Sequence, residues 1–89
     1  MKAIVTVVGK DRVGIIAEVC VQLAGYQVNV LDINQTVMQG YFTMMMVTDA
    51  SASTLPLAEV CTEMERIGKE MSLSIRVQRE DIFEAMHRI

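Results

Sequence analysis

Gly9-Lys10-Asp11-Arg12-Val13-Gly14-Ile15-Ile16 lies between an apolar run with strand character and an amphipathic segment with helical spacing. In the run before it, Ala3, Val5 and Val7 share one face, and Ile4, Thr6 and Val8 share the other. Both faces are largely apolar, which is the pattern of a central strand. After the stretch, Ile16, Val19, Cys20 and Leu23 recur at helical spacing with Glu18 and Gln22 opposite, and Gly25 is placed to stop the helix. Ile15 and Val21 fall off that stripe, as surface scatter or as contacts to a second subunit. The stretch therefore delivers the chain onto a helix N-terminus, where the first backbone N–H groups lack partners and the macrodipole favours an anion. Glycines at 9 and 14 would permit positive φ and close ligand approach. Two readings follow: a site for a small anion or amino acid, or a plain strand-to-helix turn.

Farther along, Leu31, Ile33 and Val37 alternate with Asp32, Asn34 and Thr36, as in a half-exposed edge strand, with Gln35 interrupting the apolar face. Gln39-Gly40 suits a tight hairpin into Tyr41–Thr48, which is apolar on both faces and reads as a second central strand. After a polar loop, Pro56 suits the first turn of a helix capped by Ser53, Thr54 or Leu55. That helix carries Leu57, Val60, Cys61, Met64, Ile67, Gly68 and Met71 inward, and Glu59, Glu63, Arg66, Lys69 and Glu70 outward. Leu73, Ile75 and Val77 then alternate as an edge strand, and Ile82, Phe83, Met86 and Ile89 have the spacing of a short terminal helix. The order βαββαβ, with strands one and three central, predicts an α+β ferredoxin-like sandwich. Its antiparallel sheet runs 4-1-3-2 with two helices on one face, and a short C-terminal helix follows. Residues 1–79 are expected to form the domain and 80–89 its helical extension; either that extension or a partner subunit would shield the sheet face the two helices leave bare.

Composition narrows the function. A chain of 89 residues with net charge −3 and no Trp argues against nucleic-acid or anionic-membrane surfaces. Such a small domain buries only about 60–65% of its unfolded surface, so burial against a partner copy should matter. No run approaches a membrane span and no signal-peptide pattern opens the chain, so a cytoplasmic protein is expected. Cys20 and Cys61 fall on helical apolar stripes and read as buried reduced thiols, and no metal-ligand spacing is present. The eight Met, several of them clustered at Met44–Met46, read as core or interface filler. His87, the single histidine, reads as a surface residue.

Gly9–Ile16, followed by Asn29-Val30-Leu31-Asp32-Ile33-Asn34-Gln35-Thr36, resembles an ACT domain, the amino-acid-sensing module of aspartate kinase, chorismate mutase and prephenate dehydrogenase. Gln35–Met38, Tyr41–Met44 and the ending Ile82–Ile89 are similar to stand-alone ACT proteins of bacteria and archaea that resemble the glycine cleavage system transcriptional repressor. The resemblance implies a non-catalytic regulatory module without cofactor or metal, binding a small amino acid at a homodimer interface. The loop of one subunit, comprising Gly9, Lys10, Asp11, Arg12, Val13, Gly14 and Ile15, would face Asn29 of the other. Backbone N–H groups around Arg12–Ile15 would hold the ligand carboxylate, and Asn29, with Asp32 or Asp11 as further candidates, the ammonium group. A first helix of about a dozen residues separates its own ends by roughly 18 Å, so one small ligand can use both only across two subunits. No catalytic domain is attached, so any effector would be a separate protein or a nucleic acid. A ligand-free dimerisation module is the main alternative. An acylphosphatase-like enzyme is a weaker one, because that family's Arg just inside the helix has no counterpart among Val13–Val19.

Overall fold

The computed structural model describes residues 1–81. It contains β1 (Lys2–Lys10), α1 (Ile15–Gly25), β2 (Asn29–Met38), β3 (Tyr41–Asp49), α2 (Leu57–Glu70) and β4 (Leu73–Arg79). The sheet order is β2-β3-β1-β4, with every neighbouring pair antiparallel. This is the expected 4-1-3-2 order read from the other edge, with β1 and β3 central. Glu80 and Asp81 are helical; the rest of the expected terminal helix, His87 included, lies outside the described residues.

Alternation along the strands sorts one face to the core. Ala3, Val5 and Val7 of β1, Phe42, Met44 and Met46 of β3, and Leu73, Ile75 and Val77 of β4 are buried in one cluster with Ile15, Val19 and Leu23 of α1 and Val60, Met64 and Ile67 of α2. Thr48, fully buried on the same face, satisfies its hydroxyl by donating to the Ala3 carbonyl at 2.9 Å. The hairpin between β2 and β3 has positive φ at both Gln39 (51°) and Gly40 (81°), the geometry whose twist matches the flanking strands.

Several local expectations are corrected. The α1 stripe is Ile15, Val19 and Leu23, while Ile16 and Cys20 are only half-buried; Ile15 belongs to the core. Gly25 is the last helical residue, but the left-handed turn beyond α1 is made by Gln27, at φ 61°. Pro56 itself occupies the cap position of α2 with no side-chain cap bond. Ser53 instead turns on Leu55, donating from its hydroxyl to the Leu55 carbonyl at 2.7 Å and accepting from the Leu55 N–H at 3.2 Å. Neither thiol is fully buried; that of Cys61 contacts the Val77 carbonyl at 3.1 Å, and desolvation pushes its pKa up.

The largest correction concerns β2. A bulge interrupts its pairing between Val30 (opposite Thr48) and Asp32 (opposite Val47), leaving Leu31 as an extra residue outside the alternation. Beyond the bulge, Ile33 and Val37 lie opposite buried Met46 and Phe42, on the helix-side face. They are nevertheless 40% and 53% exposed. The β2 edge thus overhangs the helix layer, and Gln35 between them is exposed, needing no buried partner.

Candidate functional site

The loop expected to bind a ligand starts where β1 parts from the hairpin turn. The Asp11 N–H donates to the Gly40 carbonyl at 2.9 Å, tying the loop to the β2–β3 turn. Arg12 follows, with its guanidinium 3.4 Å from Glu18 of α1. Val13 is 97% exposed. Gly14 occupies the cap position of α1 at φ 92°, a conformation costly for residues with a Cβ. Its carbonyl accepts the Glu18 N–H at 3.0 Å and closes the first turn. No side chain caps α1, so the N–H groups of Ile15, Ile16 and Ala17 have neither helical nor side-chain partners among the described residues.

The two glycines differ. Gly14 has the positive φ; Gly9 is not among the positive-φ glycines. Gly9 sits opposite Phe42 and Leu73 in the sheet, where a Cβ would come within 2.4 Å of Leu73 Cδ2. That atom is the tip of a side chain that can turn away, and the nearest backbone atom, the Ser72 carbonyl oxygen, is at 3.4 Å, so Gly9 is a close-packed sheet position without a backbone conformation that demands glycine. Lys10 is exposed at the end of β1, opposite Tyr41. The Ile15 side chain points into the core, being 2% exposed, so that residue can serve a ligand only through its backbone.

Asn29 opens β2 at the far end of the sheet, opposite Asp49. The loop adjoins Gly40, and β3 spans the sheet from Tyr41 to Asp49; at ~3.4 Å per residue the two halves of the expected site stand roughly 27 Å apart in one chain. The bulge decides what accompanies Asn29. One extra residue brings Asn29 and Asp32, three positions apart, onto the same open face of the sheet, opposite Asp49 and Val47 respectively.

Asp49 is the polar neighbour that sequence reasoning missed. Hydrogen bonds from Ser51 lower its pKa, the side-chain bond most and the backbone bond next; the Ser51 N–H donates to Oδ1 at 2.9 Å. Asp32 is turned onto its own chain, its Oδ1 accepting the Ile33 N–H at 2.9 Å. Among the described residues no group of three or more His, Cys, Asp or Glu is arranged to hold a metal ion. None of the described helices is long and apolar enough to cross a membrane.

Comparison with known proteins agrees with this architecture. The ACT domain family pattern matches residues 2–78. A UPF0237 protein of Clostridium acetobutylicum is 53% identical over 89 residues, covering 100% of both chains. An ACT domain protein from Streptococcus pneumoniae superposes with a TM-score of 0.83 at 42% identity, covering 98% of each chain. A protein described as a glycine cleavage system transcriptional repressor shares the fold, with a TM-score of 0.73 and 23% identity over 86% of this chain and 44% of that one. With the βαββαβ order, the glycine-capped loop after β1 and these matches in hand, the chain belongs to the ACT domain family.

Proposed function

We propose that this chain is a non-catalytic cytoplasmic sensor of a small amino acid, acting as a homodimer whose ligand sits between the loop of one protomer and Asn29 of its partner. ACT domains are typically ligand-binding regulatory modules, and here residues 1–79 would form the sensor with 80–89 as its extension. The observation that carries the reading is the placement of the two half-sites at opposite ends of one free edge strand. Every residue of β2 except Val30 is exposed, including Leu31, Ile33, Val37 and Met38 at 48%, 40%, 53% and 68%. A long unpaired edge carrying four exposed apolar residues invites another strand.

Two β2 strands pairing antiparallel about a two-fold axis would set the Asn29 end of one against the Met38 end of the other. The Met38 end adjoins Gly40 and, through the Asp11 bond, the loop. Each of two equivalent sites would then lie where the loop of one protomer meets the Asn29 end of its partner's β2; because the Asn29 side chain stands on the open face, away from the helix layer, the ligand would sit at the strand end, where the two faces meet. The carboxylate of the ligand would accept from the uncapped N–H groups of α1, and its ammonium group would meet Asn29.

A thermal-shift panel of the twenty amino acids, run beside light scattering, tests the proposal. The expected result is a mass of twice 9.9 kDa and a melting temperature that rises with the concentration of one or a few amino acids. At a hundredfold excess over Kd the ligand would add ~2.7 kcal/mol. A dimer that no amino acid stabilises would favour the ligand-free dimerisation module, and a monomer would overturn both.

A further inference from the structure

The sheet face that α1 and α2 leave bare is not evenly exposed. Strand register sorts its side chains into rows that run across β4, β1, β3 and β2 in turn. Gln78, Ile4, Val47 and Asp32 form one row, and Ser74, Val8, Thr43 and Thr36 another. In the second row Val8 is 42% exposed and its three neighbours are exposed too. In the first, Ile4 is only 6% exposed, and Gln78 and Val47 on either side are half-buried. Between the rows Thr6 is half-buried, while Met45 and Arg76 beside it are exposed. Asp32, at the β2 end of the first row, is exposed. Burial therefore follows one row across the strands and fades along β1.

Ile4 and Val8 share a central strand and a face, so strand pairing alone does not separate them. Among the described residues both helices pack on the opposite face, and the chain that continues from β4 is the cover at hand. β4 ends at Arg79, beside the buried row, and Glu80 and Asp81 already turn as helix. A helix from Glu80 to Ile89 would be ~15 Å long at 1.5 Å per residue, against ~14 Å for the three strand spacings from β4 to β2. Phe83 and Met86 of its apolar stripe would stand ~4.5 Å apart along the axis, close to one strand spacing. A helix about 10 Å wide covers the first row and part of the next, which is the extent of the burial.

We infer that residues 82–89 lie as a helix across the open face, Phe83 over Ile4 and Met86 over Val47, and that this helix walls the Asn29 half-site on that side. The wall follows from where the row ends, because Asp32 and Asn29 are on the same face just beyond Val47. It rests on the amino-acid reading above; the seat of the helix does not. A ligand that touches the wall stabilises its docked state, and by linkage the docked helix strengthens ligand binding by the same factor.

A double-mutant cycle in the full chain, read by urea midpoint, tests the seat. Ile4→Ala and Phe83→Ala should each lower the midpoint, and the double variant should lower it by clearly less than their sum, as residues in contact do. Val8→Ala, roughly 13 Å along β1 from Ile4, should simply add to Phe83→Ala. If Ile4→Ala does not fold, Ile4→Val repeats the cycle with a smaller cavity. Additive losses at Ile4 and Phe83 overturn the seat; if light scattering then shows that Ile4 variants dissociate, a second copy is the cover. The wall is read by hydrogen exchange of the amides of residues 84–89, with and without the amino acid found by the thermal panel. Saturation should slow exchange about fivefold, the lower end of the usual coupling between sites. Unchanged exchange with the amino acid bound overturns the wall alone. If no amino acid binds, the sensor reading and the wall fall together, and the cycle still decides the seat.

Discussion

Met44→Ala is expected to remove about 2–5 kcal/mol of stability, the usual cost of emptying a large buried apolar position. Met44 is fully buried on the core side of β3, with Val7 opposite it on β1. Its neighbour in sequence, Met45, faces the open side and is 38% exposed, so Met45→Ala should cost under about 1 kcal/mol. Against a total of ~5–15 kcal/mol for a domain, the first substitution is severe and the second tolerable. Urea titration would read the difference as a lowered midpoint for Met44→Ala at unchanged slope. Similar losses at both positions would contradict the burial alternation of β3 and the one-sided core built on it.

Gly68→Ala should also destabilise, although alanine is the better helix former. An added Cβ would lie 2.9 Å from the Leu73 carbonyl oxygen, 3.0 Å from Ile75 Cγ1 and 3.3 Å from Ile75 Cβ. The first of these is backbone, in a strand residue paired with Gly9 of β1, so relief requires moving α2 off the sheet. Overpacking of this kind costs about 1–3 kcal/mol, against the ~1 kcal/mol that alanine gains over glycine inside a helix. The net loss should lower the melting temperature by several degrees, at ~4–8 °C per kcal/mol. Gly25 is the internal control, because nothing lies within 4 Å of its added Cβ and its φ is not positive. Gly25→Ala should be neutral or stabilising by up to about 1 kcal/mol. Opposite signs at two helical glycines would show that contact with β4, and not helix propensity, sets the requirement at Gly68.

These substitutions fall where the sequence was easiest to read. In α2 a single apolar stripe is flanked by charged residues, so periodicity gives both the helix and its buried side. In α1 nearly every residue is apolar, and the periodic pattern cannot fix which side turns inward. Ile15 therefore looked peripheral although it is 2% exposed. Gln39-Gly40 announced the hairpin, because glycine at the second turn position fits the positive φ that both residues adopt.

The bulge at Leu31 gave no such signal. Regular pairing outward from the turn would set Asn29 opposite Ala50 and on the helix side; the extra residue sets it opposite Asp49 and on the open side. Asp49 could not be found by counting for that reason. Gly9 and Gly14 show a related limit. Both are glycines at the ends of one loop, but only the structure separates tight packing at Gly9 from positive φ at Gly14.

Subunit mixing tests the shared site most directly. Gly14→Val forces a β-branched residue into φ 92°, which should displace the loop, while Asn29→Ala removes the contact from the other half. Each homodimer alone should fail to bind the amino acid. After unfolding and refolding together in equal amounts, half of the dimers would be mixed, each with one site built from two intact halves, so binding should return to about a quarter of wild-type stoichiometry. Recovery at that level, read by calorimetric titration, is the predicted result. Two inactive variants that stay inactive when confirmed as mixed dimers would contradict a site divided between two chains.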